Sequence, residues 1–121
     1  MDIKIRTNQH IYIIDVEGSM DLYYSNQLKE LVMKMIEKKV ERFIINVNNV
    51  KSIDSSGIGA LIFISSTMKK MKLGLAITNV QGPVRQVMEK IKLAAYFPLY
   101  ENINEAIKEL SARPALESAL V

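Results

Sequence analysis

The 121-residue chain is 49% apolar and 24% charged, carries a net charge of +3 and contains no cysteine. That length suits one domain, and the composition excludes intrinsic disorder, a disulfide framework and thiol chemistry. The start lacks a basic segment followed by an apolar run, and no apolar stretch approaches the ~20 residues of a membrane span. A soluble cytoplasmic protein with no membrane contact is expected.

Residues 3–7, IKIRT, alternate in character and predict a strand. IYIIDVEG, 11–18, is more continuously apolar and predicts a second, more interior strand, joined to the first by a short hairpin through NQH. The lone His10 falls in that turn and is read as a turn residue, not as a ligand or a base. From Leu22 to Lys39 the pattern is helical, with Leu28, Leu31, Val32, Met35 and Ile36 on one face. RFIINV, 42–47, predicts a short buried strand, from which NNVKSI leads to a second helix starting at Ser55 or Ser56 and ending near Met71. The N-terminal half of this helix is apolar on nearly every side. A helix of that kind is either deeply buried or exposes part of itself to a partner.

The densest run of cations, KKMK at 69–72, closes this helix, where the macrodipole favours positive charge. No aromatic residue interleaves with it, so no nucleic-acid partner is expected. A strand follows at 73–79, then a helix opened by Pro83 with Val84, Val87, Met88 and Ile91 on one stripe. YFPLY, 96–100, predicts a short extended segment at a sheet edge, because Pro98 cannot donate to a ladder. Asn102 and Glu105 mark the start of a last helix. The order β-β-α-β-α-β-α-β-α predicts an α/β domain. Its sheet of four to five strands is mixed but largely parallel, with about four helices and one antiparallel strand from the hairpin.

The chemistry concentrates in SIDSSGIGAL, 52–61. A nucleophile elbow needs G-x-S-x-G, which neither serine has, and the chain's one histidine is His10. A dinucleotide cradle needs a third glycine where Ile62 stands, and no lysine follows as in a P-loop. Asp21 and Asp54 alone are too few for a metal site. No catalytic residue, cofactor or metal is therefore expected. Two readings remain. In one, Ser55 or Ser56 caps the helix while Gly57 and Gly59 let its start approach neighbouring backbone. In the other, a serine receives a phosphate beside Asp54 and Asp21, turning an apolar docking face into an anionic one.

With these residues the chain resembles the STAS-domain proteins of the anti-sigma factor antagonist class over about residues 3–110. The resemblance is carried by EGSMD at 17–21, by VNNVKSIDSSGIGALI at 47–62 and by the rhythm of the segment from LGLAITN onward. It implies a STAS domain over 1–111, a C-terminal tail at 112–121 and no enzymatic activity. It further implies binding to an anti-sigma factor that is also a serine kinase, loss of that binding on phosphorylation, and reversal by a serine phosphatase. By position, Ser55 would be the phosphoacceptor, with Ser56 as the fallback. Asp21, Asp54, Ser55, Ser56, Gly57, Ile58 and Gly59 would face the partner. The chain departs from the family pattern at Ser19, where an acid is common, and at Tyr23 and Tyr24, whose bulk would alter partner choice or fill a groove. The alternative is a STAS scaffold or sensor module that binds a different protein, or a small anionic ligand or nucleotide, at the same helix N-terminus.

Overall fold

The computed structural model describes residues 2–112. The elements run β1 (Asp2–Asn8), β2 (Ile11–Met20), α1 (Leu22–Glu37), β3 (Arg42–Ile53), α2 (Ser55–Met71), β4 (Gly74–Thr78), α3 (Gly82–Ile91), a 3-10 turn (Ala94–Tyr96), β5 (Leu99–Tyr100) and α4 (Ile103–Ser111). The five strands lie in chain order, β1-β2-β3-β4-β5. β1 pairs antiparallel with β2, and every later pairing is parallel. This is the mixed, largely parallel α/β sheet that the order of elements predicts. The expected tail lies outside the described residues from position 113 onward.

Alternation along the strands divides the apolar residues between two faces. Ile14, Val16, Phe43, Ile45, Val47, Leu75 and Ile77 point to one side and form the larger core with α1, α2 and α3. Ile11, Ile13, Ile44 and Ala76 point to the other and are covered by Ala106 and Leu110 of α4. Three helices thus share one face of the sheet and one helix covers the other.

Two elements differ from the sequence expectation. β3 continues to Ile53 instead of ending near 47. Its pairing to β2 survives past Asn46 because irregularities between Asp15 and Glu17, and between Gly18 and Ser19, re-phase the neighbour. Gly18 takes φ +93° at this point, a backbone state that a side chain would disfavour. The predicted strand at 96–100 shrinks to Leu99–Tyr100, with Tyr96 in the preceding 3-10 turn. There the Tyr96 hydroxyl lies 2.6 Å from Ser66 Oγ and its ring sits under Lys69 Nζ at 4.0 Å. These contacts fix the turn against α2 and leave too little extended chain for a longer strand.

Candidate functional site

β2 and β3 are parallel neighbours, so α1 and α2 both start from the same end of the sheet, side by side on one face. The backbone N–H of Asp54 donates to the Met20 carbonyl at 3.4 Å, tying the two strand ends together. Each helix begins with an aspartate in extended conformation. Asp21 Oδ1 accepts from the Tyr24 N–H at 2.9 Å. Asp54 Oδ1 accepts from the N–H groups of Ser56 and Gly57, at 2.8 and 3.1 Å. These carboxylates satisfy amide donors that the helix itself leaves unpaired.

The expected serine cap is therefore wrong. Asp54 is the cap, and Ser55 is the first residue of α2. Aspartate ranks with serine as a capping residue, so the motif D-S-S-G allowed either. The position of the last extended residue decides it. Ser55 is exposed, Ser56 is half-buried, and Gly57 and Ile58 are buried.

The glycines also separate. A Cβ on Gly57 would lie 2.6 Å from Ile53 Cγ1 and 2.8 Å from the Met20 carbonyl oxygen, so its absence lets α2 start tight against the ends of β2 and β3. Around Gly59 a Cβ would meet nothing within 4 Å. The expected close approach holds for Gly57 only, and Gly59 is an open position on the outer surface of the helix.

The two tyrosines separate in the same way. Tyr24 is fully buried; its hydroxyl donates to the Asp2 carbonyl at 2.6 Å and accepts from the Glu17 N–H at 3.0 Å. Burial pushes its phenol up to about 12. It joins β1, β2 and α1, a structural role that the sequence did not reveal. Tyr23, by contrast, is 67% exposed and stands with Leu22, 63% exposed, beside the Asp21 cap.

Among the described residues no group of three histidine, aspartate or glutamate side chains is placed to hold a metal, and no described helix is long and apolar enough to cross a membrane. Asp21 and Asp54 remain a pair of helix caps. His10 lies in the hairpin turn with φ +67°, following Gln9 at φ +53°.

A model of the STAS domain matches residues 2–106, and the chain belongs to that family. Among curated proteins it is similar to the anti-sigma F factor antagonist of Paenibacillus polymyxa, at 23% identity over 113 residues, covering 91% of this chain and 97% of the relative. Among solved structures it is similar to the anti-sigma factor antagonist SpoIIAA in its unphosphorylated form, with a TM-score of 0.72 at 16% identity, covering 93% of this chain and all of that one. The phosphorylated form of the Bacillus cell fate determinant SpoIIAA superposes with a TM-score of 0.69 at 17% identity, over 90% of this chain and 99% of that one.

Proposed function

We propose that this chain is a cytoplasmic anti-sigma factor antagonist, a binding module without catalytic activity of its own, switched by phosphorylation of Ser55. Unphosphorylated, it binds an anti-sigma factor that is also a serine kinase; phosphorylated, it releases that partner, and a serine phosphatase restores binding. The observation that carries the reading is the position of Ser55. It is exposed at the first residue of α2, and the Asp54 carboxylate meets the Ser56 and Gly57 amides in its place. A kinase can reach such a hydroxyl without opening the helix. STAS membership and the antagonist relatives support the assignment.

The switch is electrostatic. A phosphate adds nearly two negative charges, about −1.5 to −2 at neutral pH, beside two carboxylates that each use only one oxygen in the cap hydrogen bonds described. A partner surface closing over the site would have to strip water from that dense negative charge. The alternative, a small anionic ligand or nucleotide at the same helix start, is disfavoured because the Asp54 carboxylate already fills the position an anion would take.

Incubation with the cognate kinase and ATP, read by phosphopeptide mass spectrometry, tests the assignment. Phosphate is expected on Ser55 and lost in Ser55→Ala; a Ser55→Ala protein still labelled at Ser56 would move the site by one residue. Ser55→Asp is expected to weaken binding of the anti-sigma factor at least about tenfold. Wild-type affinity in that variant would sink the charge mechanism.

A further inference from the structure

Lysines gather at the end of the molecule opposite Ser55. Strands β2 to β5 are parallel, and α1, α2 and α3 run back along one face of the sheet, so these helices all finish at the end where β3 and β4 begin. There the Gly74 N–H donates to the Glu41 carbonyl at 2.8 Å, which brings together the chain just after α1 and the chain just after α2. Lys39 and Lys72 each lie two residues before a partner in that bond. Lys69 Nζ donates to the Tyr96 carbonyl at 3.4 Å and sits 4.0 Å from the centre of its ring, which ties the last turn of α2 to the segment that follows α3. Lys38, Lys39, Lys70, Lys72, Lys90 and Lys92 are all exposed at this pole. The acids nearest them in the chain are fewer: Glu37, Glu41 and Glu89, of which Glu89 lies 3.9 Å from Arg85.

The helix macrodipole accounts for cations in a last turn, but not for where three of these stand. Lys39, Lys72 and Lys92 take φ +72°, +59° and +59°. That is the left-handed region, where helix ends usually carry glycine or asparagine. A lysine one residue earlier would meet the dipole as well, without the steric cost of a Cβ in that conformation. Three helices thus end on a lysine that the backbone disfavours. The ends of α2 and α3 also repeat one pattern. Lys70-Met71-Lys72 and Lys90-Ile91-Lys92 each hold an apolar side chain between two lysines. Met71 is 43% exposed and Ile91 39% exposed, and neither is part of the larger core.

We infer that this pole is a docking surface for an anionic lipid membrane. The lysines meet the headgroup charge, and Met71 and Ile91 enter the boundary between headgroups and acyl chains. A cluster of about four to eight cations is enough to draw a surface to anionic lipid. Lysines are point charges that ask for no fixed acceptor geometry, which suits laterally mobile headgroups; arginine is the residue of two-pronged carboxylate and phosphate contacts. The two apolar tips call for an apolar medium beneath the charge, which a nucleic-acid backbone does not offer. A surface contact of this kind needs no spanning helix, so a search for long apolar runs does not find it. It is also independent of the switch. α2 spans 17 residues, about 25 Å, so Ser55 stands clear of a membrane held at the other end. That separation is more than twice the screening length of about 10 Å in moderate salt, so a phosphate on Ser55 leaves the attraction intact.

The test is co-sedimentation of the full chain with vesicles of phosphatidylcholine and phosphatidylglycerol in equal parts, against vesicles of phosphatidylcholine alone. Binding is expected to the first and not to the second, and it should fall as salt is raised. Two double variants of equal net charge locate the surface. Lys72→Gln with Lys92→Gln is expected to weaken binding about tenfold or more. Lys4→Gln with Lys51→Gln, both exposed but outside the pole, should change it less than about twofold. Met71→Ser with Ile91→Ser is expected to weaken it about fivefold while its salt dependence is retained. Ser55→Asp should bind vesicles like wild type, whatever it does to the anti-sigma factor. The urea midpoint of each variant, measured alongside, separates lost binding from lost folding. Equal binding to both kinds of vesicle, or equal losses in the two lysine pairs, would overturn the inference. So would a protein that leaves the vesicles alone and holds duplex DNA or polyglutamate through the same lysines.

Discussion

Gly57 and Gly59, two residues apart on one helix, do opposite things for the fold. At Gly57 an added methyl would collide with Ile53 and with the Met20 backbone, and backbone cannot yield cheaply. Gly57→Ala is expected to destabilise the protein by about 1–3 kcal/mol, measured by urea denaturation. Gly59→Ala meets no neighbour and is expected to stabilise it by about 0.5–1 kcal/mol, because alanine loses less backbone freedom in a helix. A stabilised Gly59→Ala would show that folding alone does not call for the glycine. The sequence marked both positions but could not separate them, since the G-x-G spacing says nothing about which glycine faces β2. The same holds for the cap. Three polar residues in a row, Asp54, Ser55 and Ser56, are all competent capping groups, and only the backbone angle at Asp54 (φ −107°, ψ −172°) assigns the task.

At the scale of elements, apolar periodicity predicted the four α-helices and three of the five strands close to where they lie. It failed where burial is one-sided. Past Val47, β3 carries Asn48, Asn49, Lys51 and Ser52 on exposed positions, which reads as a loop, yet Val50 is buried and Ile53 packs against the larger core. A strand covered on one face only keeps half of its apolar signal. The helix ends carry a second feature that periodicity does not reveal. Lys72 and Lys92 close α2 and α3 in the left-handed conformation, each with φ +59°, where glycine is the usual residue. A positive charge at a helix C-terminus is favourable, but the conformation disfavours a side chain. Lys92→Gly is expected to raise stability by roughly 0.5–1 kcal/mol if backbone strain outweighs the lost charge interaction. Thermal and urea unfolding measure the balance, and an equal loss would show that the charge dominates.

For the molecule as a whole, two buried or half-buried groups among the described residues, Asp15 and Tyr24, contribute to how stability depends on pH. At Asp15, burial pushes the carboxyl up, but the hydrogen bonds from Arg6 and Asn46 outweigh it, with help from the charges of Arg6 and Lys4, and hold it below the usual carboxylate range. Its contribution is present above about pH 4 and is lost as the pH falls and the folded carboxylate takes up a proton. Tyr24 works in the opposite direction. Its folded value of about 12 exceeds the ordinary tyrosine value of about 10, so its contribution is complete below pH 10 and is lost between about 10 and 12 as the unfolded chain releases the proton first. Tyr24→Phe should be less stable than wild type at pH 8, by about 1–2 kcal/mol from the two lost hydrogen bonds. It should also show a shallower decline from pH 10 to 12. Parallel urea titrations across that range decide it, and identical slopes would remove Tyr24 from the alkaline limb. An aspartate, not a serine, closes the start of α2, so the helix cap does not depend on the Ser55 hydroxyl beside it. In the proposed switch that hydroxyl would change its chemical state while the Asp54 cap stays in place, so information would be written there and erased many times on the same folded molecule.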